Sequence, residues 1–145
     1  MKILIPLDGS ALALDAVHHA LKLQREGLRA SFVLATVQDP DSMYDMLMVP
    51  DAEARDNVNQ SVGAATMASA MALFTEAGVP FESEVRAGYP APMLIEIAED
   101  YSCDAIIIGA NGHGTLRSAL LGSVSQAILQ TSNVPVTLVK HADKQ

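Results

Sequence analysis

Tryptophan is missing from this chain of 145 residues, and three Tyr with three Phe make up only 4% of it. A core built from it must therefore be aliphatic and small: Ala, Val, Ile, Leu and seven Met. Cys103 is the single cysteine, which excludes an intramolecular disulfide and any Cys-built zinc site. Cations are scarce, with 9 Lys+Arg against 17 Asp+Glu and a net charge of −8. Such a chain repels phosphate backbones and anionic bilayer surfaces, which argues against a nucleic-acid binder or a peripheral membrane protein. No apolar run approaches the roughly 18–20 residues needed to span a bilayer. Met1-Lys2 leads into a strand-like run with no signal-peptide anatomy, so a cytoplasmic protein is expected. Neither internal repeats nor low-complexity tracts occur.

What is present is an apolar share of 50%, enough for a full core in a single domain over residues 1–145. Strand-like and helix-like segments alternate from end to end. Lys2–Leu7 (KILIPL) reads as a first strand. Ser10 can cap the helix that follows and Gly27 can end it. Ala13, Ala16, Val17, Ala20 and Leu21 recur at three-to-four spacing and define its apolar face. Ala30–Val37 is a second buried strand. Residues 38–50 show no clean period and read as a long loop or an irregular helix. A helix follows from about Asp51 to Ala77, its middle rich in Gly63 and alanines, with Gly78 just past its end.

Phe81, Ser83 and Val85 alternate with Glu82, Glu84 and Arg86, a period of two that marks a third strand near an edge. Gly88–Pro92 turns into a helix reaching about Tyr101, with Leu94, Ile97, Ala98 and Tyr101 on one face. Asp104–Gly109 (DAIIIG) is the most strand-like run. Ser123 opens a helix to about Ser132, and Ser123-x-x-Gln126 has capping-box spacing. Val134–Lys140 is the last strand, followed by a polar tail. Regular β-α alternation closed by a strand specifies a parallel α/β sheet. Five such strands are commonly ordered 3-2-1-4-5 or 2-1-3-4-5, and ligands sit outside their carboxyl ends at the switch point.

Chemistry concentrates in Gly109-Ala-Asn-Gly112-His-Gly114-Thr-Leu-Arg-Ser-Ala-Leu-Leu-Gly122-Ser123-Val124-Ser125. Its glycines leave backbone N–H groups uncovered, so an anion can approach closely. Gly122-Ser123 falls at a helix start, where free N–H groups and the helix dipole favour phosphate. Ser123 and Ser125 add hydroxyls. The plain alternative is that these glycines only make turns.

The segment resembles the universal stress protein family, whose nucleotide-binding members carry Gly-x2-Gly-x9-Gly-Ser/Thr after the fourth strand. Here the pattern stands as Gly109-x2-Gly112-x9-Gly122-Ser123. Ile3–Ser10 (ILIPLDGS) is similar to the family's opening strand and Asp-Gly-Ser turn. Leu34–Val37, Asp104–Gly109 and Asn133–Val136 are similar to its second, fourth and last strands. The resemblance spans nearly the whole chain and is weakest over 39–60.

It implies a single Rossmann-like, doubly wound sheet of five parallel strands in the order 3-2-1-4-5, with helices on both faces. It also implies bound ATP, with Mg²⁺ or Mn²⁺ as its counter-ion. Asp8 would bind the ribose or, through water, a metal. Val37 would meet the adenine with its backbone, and Ile108 and Gly109 would line the base and ribose. Gly112, Gly122, Ser123 and Val124 would hold the phosphates, with Ser125 in addition. Family dimers commonly form through the last strand, so a homodimer through Val134, Val136 and Leu138 is expected. The position after Gly112, often basic in the family, is His113, and Arg117 is the next basic candidate.

Other residues have plain readings. His18 and His19 lie mid-helix, where at least one must face out, with no second ligand at metal-site spacing. Cys103, without a basic neighbour in sequence, reads as a buried inert thiol. Met43–Val49 reads as packing on the sheet edge or the second helix or, alternatively, as a pliable apolar lid or partner surface. Residues 39–56 hold six acids and Arg55, a net −5 that reads as a solvated face.

Phosphoryl transfer needs a cation clamp and a group to position the nucleophile. The chain has neither G-x-x-x-x-G-K-[ST] nor the kinase signature set. The expected function is an ATP-binding stress-response regulator with little or no turnover. The alternative is a slow ATP hydrolase or autophosphorylating protein using the same site. A receiver domain is excluded because Asp8 stands alone and the third strand ends at Arg86-Ala87-Gly88. A flavodoxin is excluded because its phosphate loop would follow the first strand.

Overall fold

The computed structural model describes residues 1–8, 13–38, 52–110 and 122–141, with backbone alone for 52–64. Its elements are β1 (Lys2–Pro6), α1 (Ala13–Arg25), β2 (Ser31–Gln38), α2 (Ala52–Ala77), β3 (Phe81–Ala87), α3 (Pro90–Asp100), β4 (Ala105–Gly109), α4 (Ser123–Thr131) and β5 (Val136–Val139). All strand pairs are parallel and the order is β3-β2-β1-β4-β5. Of the two orders open to the strand pattern, the structure takes the one implied by the resemblance.

The inner strands are buried on both faces, and their side chains divide by parity. Ile3, Ile5, Leu7, Phe32, Leu34 and Ile107 face α1 and α2, where Ala16, Val17, Ala20, Ala70 and Phe74 meet them. Leu4, Val33, Ala35, Ile106 and Ile108 face α3 and α4, where Leu94, Ile97 and Ile128 meet them. The apolar face read for α1 is buried at all five positions. Small alanines on α1 let its backbone approach the sheet. The sparse aromatics are concentrated: Phe74 lies 5.1 Å from Phe32 and 5.9 Å from Phe81 between ring centroids.

Helix ends explain the connections. Gly27 (φ 115°) and Gly78 (φ 71°) take left-handed conformations after α1 and α2. Leu28 N–H then donates to Leu23 O, and Val79 N–H to Phe74 O, satisfying carbonyls the helices leave open. α3 ends the same way at Ser102 (φ 54°), where Cys103 N–H donates to Ala98 O at 2.8 Å.

Two sequence expectations shift and a third, the edge position of β3, holds. The capping box does not form: Gly122 is the N-cap of α4, no side chain caps it, and Ser123 is already the first helical residue. The last strand is shorter than Val134–Lys140, because Val134 N–H turns to Ser132 Oγ and pairing to β4 begins at the Pro135 carbonyl. The alternation in β3 marks an edge strand without a continuous apolar inner face. Phe81 packs on the core, but Val85 is 56% exposed, while Glu84 and Arg86 are half-buried. Arg86 Nε lies 2.6 Å from Glu84 and its guanidinium 2.8 Å from Asp100, which ties β3 to α3. The Glu84 bond, and after it the Asp100 bond, raises the Arg86 pKa and holds it charged.

Candidate functional site

Pro6 decides where the sheet opens. Leu7 N–H donates to Ala35 O at 2.7 Å, so odd residues of β1 bond to β2 and even residues face β4. Pro6 is even and has no N–H to give. The β1–β4 pairs run Ile3↔Ala105 and Leu4↔Ile106 and stop there, while β1–β2 pairing continues to Pro6↔Ala35. Beyond Leu4 no further residues of the two central strands are paired, and this end of the sheet is its switch point. Pro6 was legible in the sequence as a proline inside a central strand, a position prolines avoid, but its consequence needed the strand order.

The sequence candidates gather at this end. Asp8 follows β1 and is exposed. Ile108 (6% exposed) and Gly109 end β4, and Ile108 packs against the α3–α4 core. Val37, half-buried near the end of β2, joins the same core. At the start of α4 the first intrahelical bond is Gln126 N–H to Gly122 O, 3.0 Å. The N–H groups of Ser123, Val124 and Ser125 therefore have no partner within the helix, and they sit at its positive end. Ser123 is exposed, Val124 half-buried and Ser125 buried. Gly112, His113, Arg117, Ser10 and Met43–Val49 lie outside the described residues, as does the tail beyond His141.

Two roles differ from the expectation. Gly122 N–H is spent on Ala110 O at 2.9 Å, so what Gly122 offers a ligand is the absence of a side chain. Its φ of −64° and ψ of 156° are open to every residue. Ser125 Oγ donates to Gly109 O at 2.8 Å. Ala110 was not a sequence candidate: it carries no functional side chain, yet its N–H binds Val139 O and its carbonyl binds Gly122 N–H.

Among the described residues, the ends of β1, β2 and β4 carry no lysine or arginine. Arg86 on β3 is held by Glu84 and Asp100, and Lys140 follows β5. Among the described residues, an anion here would meet backbone donors and the helix dipole. No group of three or more His, Cys, Asp or Glu among the described residues could hold a metal. His18 is exposed and His19 half-exposed, as their mid-helix placement requires.

The opposite end of the sheet carries a small pocket of about 90 Å³ between the ends of α3 and α4, lined by Ala98, Ser102, Cys103, Asn133 and Val134 among others. Cys103 is 7% exposed, and burial pushes its thiol up to about 11. It stays protonated at neutral pH. The folded thiol keeps a proton that an unfolded one releases near 9, so its contribution to stability is complete below about pH 9 and is lost as pH rises through about 11. A thiol reagent such as DTNB at pH 7 is expected to label Cys103 only in denaturant. Full labelling of the folded protein within minutes would contradict its burial.

The universal stress protein family model matches residues 1–140. Universal stress protein YxiE of Bacillus subtilis is 32% identical over 146 residues, covering 96% of this chain and 98% of that protein. Universal stress protein MJ0531 of Methanocaldococcus jannaschii is 29% identical over 144 residues, covering 99% and 84%. The solved structure of MJ0577 from the same organism superposes with a TM-score of 0.78 at 26% identity, over 99% of this chain and 97% of that one. Two other structures share the fold at lower identity. One is a universal stress protein in complex with cAMP (TM-score 0.69, 23% identity, 97% and 96% covered). The other is a family protein from Arabidopsis thaliana with AMP bound (TM-score 0.71, 18% identity, 98% and 92% covered). With a family match over residues 1–140, a relative above 30% identity along nearly its full length, and the β3-β2-β1-β4-β5 sheet, the chain belongs to the universal stress protein family.

Proposed function

We propose that the whole chain is a single nucleotide-binding domain that holds ATP in the crevice between β1 and β4 and acts as a cytoplasmic regulator with little or no turnover. The observation that carries this reading is the meeting of three helix N-terminal N–H groups, on Ser123, Val124 and Ser125, with the end of β4 beside a β1 whose ladder has already stopped. Free amides at a positive helix end suit phosphates. The cAMP and AMP complexes of same-fold proteins support adenine as the base. Asp8 leaves β1 at the mouth, where it reaches a ribose or the hydration shell of a cation. Val37 offers the base a strand backbone. A divalent ion would arrive with the triphosphate, neutralising its charge. Asp8 would be the carboxylate that orients it, and Gly109 and Gly122 bring no side chain into that space.

Turnover is the alternative reading, as a slow hydrolase or autophosphorylating protein. The ends of β1, β2 and β4 supply no cation clamp among the described residues, so phosphate release is expected far below the usual range of about 1–1000 per second. Calorimetry with ATP and GTP tests the whole reading. A strand backbone presents one donor and one acceptor to adenine, and guanine carries the reversed pattern, so ATP should bind more tightly. Equal affinities, or no binding at millimolar nucleotide with Mg²⁺, would overturn the assignment. Release near one phosphate per second, lost on replacing Asp8, would favour the hydrolase.

Assembly is proposed through β5. Ile106 N–H and Ala110 N–H bond to the carbonyls of Pro135 and Val139. By alternation along the strand, the N–H groups of Val136 and Leu138 face away from β4, toward the open edge. A second copy related by a twofold axis can pair there antiparallel, in a closed interface. Val134 precedes the strand and would flank that contact. Light scattering is expected to give a dimer. Leu138→Pro removes an outward-facing N–H and should give a monomer with unchanged circular dichroism. A wild-type monomer at high micromolar concentration would refute the dimer and leave the ATP site untouched.

A further inference from the structure

We infer that Ser125 is a positioning residue: its hydroxyl caps the Gly109 carbonyl, which otherwise aims its negative end into the anion site. The inference rests on the nucleotide reading above and deepens it. Ala110 N–H donates to Val139 O on β5 at 2.9 Å. A trans peptide is planar with N–H and C=O opposed, so the Gly109 carbonyl in that peptide points away from β5, toward β1 and the crevice. The β1–β4 pairs end at Leu4↔Ile106, three residues before Gly109. A carbonyl oxygen left bare there would face incoming phosphate with like partial charge. Ser125 Oγ–H reaches it from the first turn of α4 at 2.8 Å, and the Ser125 side chain is buried.

A serine hydroxyl has one proton to donate. Spent on Gly109 O, it has only lone pairs for a phosphate oxygen, which repel. Ser125 therefore does not bind phosphate through its hydroxyl. It quenches a misplaced dipole, and together with the Gly122 N–H to Ala110 O bond it pins the helix N-terminus against the end of β4. The residues contacting phosphate at this helix are then the backbone amides, which the pin holds in place.

Carbonyl ¹³C NMR of Gly109, combined with calorimetry, tests this. In the ligand-free protein Ser125→Ala should move the Gly109 carbonyl resonance upfield, as a lost hydrogen bond requires. In the wild type, saturation with ATP should leave that resonance at its downfield position. Ser125→Ala should weaken ATP by about tenfold or more while changing adenosine, which lacks phosphate, by less than about threefold. Ser125→Thr should restore both the shift and the affinity. An upfield move in the wild type on adding ATP would show the hydroxyl leaving Gly109 for phosphate and would overturn the inference without needing a variant. Equal losses for ATP and adenosine, or normal ATP binding by Ser125→Ala, would also overturn it. No ATP binding by the wild type would instead remove the nucleotide reading itself.

Discussion

Gly122→Val is expected to abolish measurable ATP binding, weakening it about 100-fold or more (~2.7 kcal/mol), while the protein stays folded. The backbone gives the test its meaning. At φ −64° and ψ 156°, Gly122 sits where any residue can sit, so valine adds no conformational strain. Its N–H still reaches Ala110 O, and the cost to α4 is that of exchanging a fair N-cap residue for a poor one, about 1 kcal/mol. What changes is space: a Cβ and two methyls at the helix start, beside the free amides of Ser123–Ser125. Gly122→Ala should lie between the two. Calorimetry with circular dichroism on each variant decides. Normal ATP affinity in a folded Gly122→Val protein would put the phosphates elsewhere.

Phe74→Ala is expected to cost about 3–5 kcal/mol, a large part of the roughly 5–15 kcal/mol by which domains of this size are stable. Phe74 is 0% exposed on α2 and lies between Phe32 of β2 and Phe81 of β3. With so few aromatics in the chain, no other large ring can move into the vacated volume. Among the described side chains of α2, Phe74 packs into the core with Met67, Ala70, Met71 and Leu73. Urea unfolding measures the loss. A change below about 1 kcal/mol would mean that the aromatic cluster does not anchor α2.

The sequence carried the architecture plainly because its signals are local and redundant. In α1 the buried positions Ala13, Ala16, Val17, Ala20 and Leu21 were visible as a three-to-four repeat, and glycine punctuation at 27 and 78 marked true helix ends. The placing of candidates Asp8, Ile108, Gly109 and Gly122–Ser125 at one end of the sheet was likewise legible, since a glycine-spaced loop feeding a helix is a one-dimensional pattern. Which hydrogen bonds those residues make was not. Ser123 and Gly122 exchanged the cap position because a helix may begin one residue either way without altering its apolar face. The bond from Ser125 Oγ to Gly109 O could not be read either, because a carbonyl sixteen residues earlier leaves no mark in the spacing. Half-burial of Glu84 and Arg86 was hidden for the same reason: besides pairing with each other, they bond to Asp100 and Tyr101 at the far end of α3.

The missing donor at Pro6 also gives the sheet a seam. Between β1 and β2 five residue pairs are in register, and between β1 and β4 only two. Backbone pairing is thus thinnest between two leaves, β3-β2-β1 and β4-β5, along the line where the candidate residues gather. On one face α1 crosses that line, sharing a core with Ile3 and Ile5 on one leaf and Ile107 on the other. The proposed nucleotide, held between Asp8 and the β4–α4 junction, would bridge the two leaves where β1 lacks a donor. Opening of the empty protein should then run along this line, and occupancy should protect it.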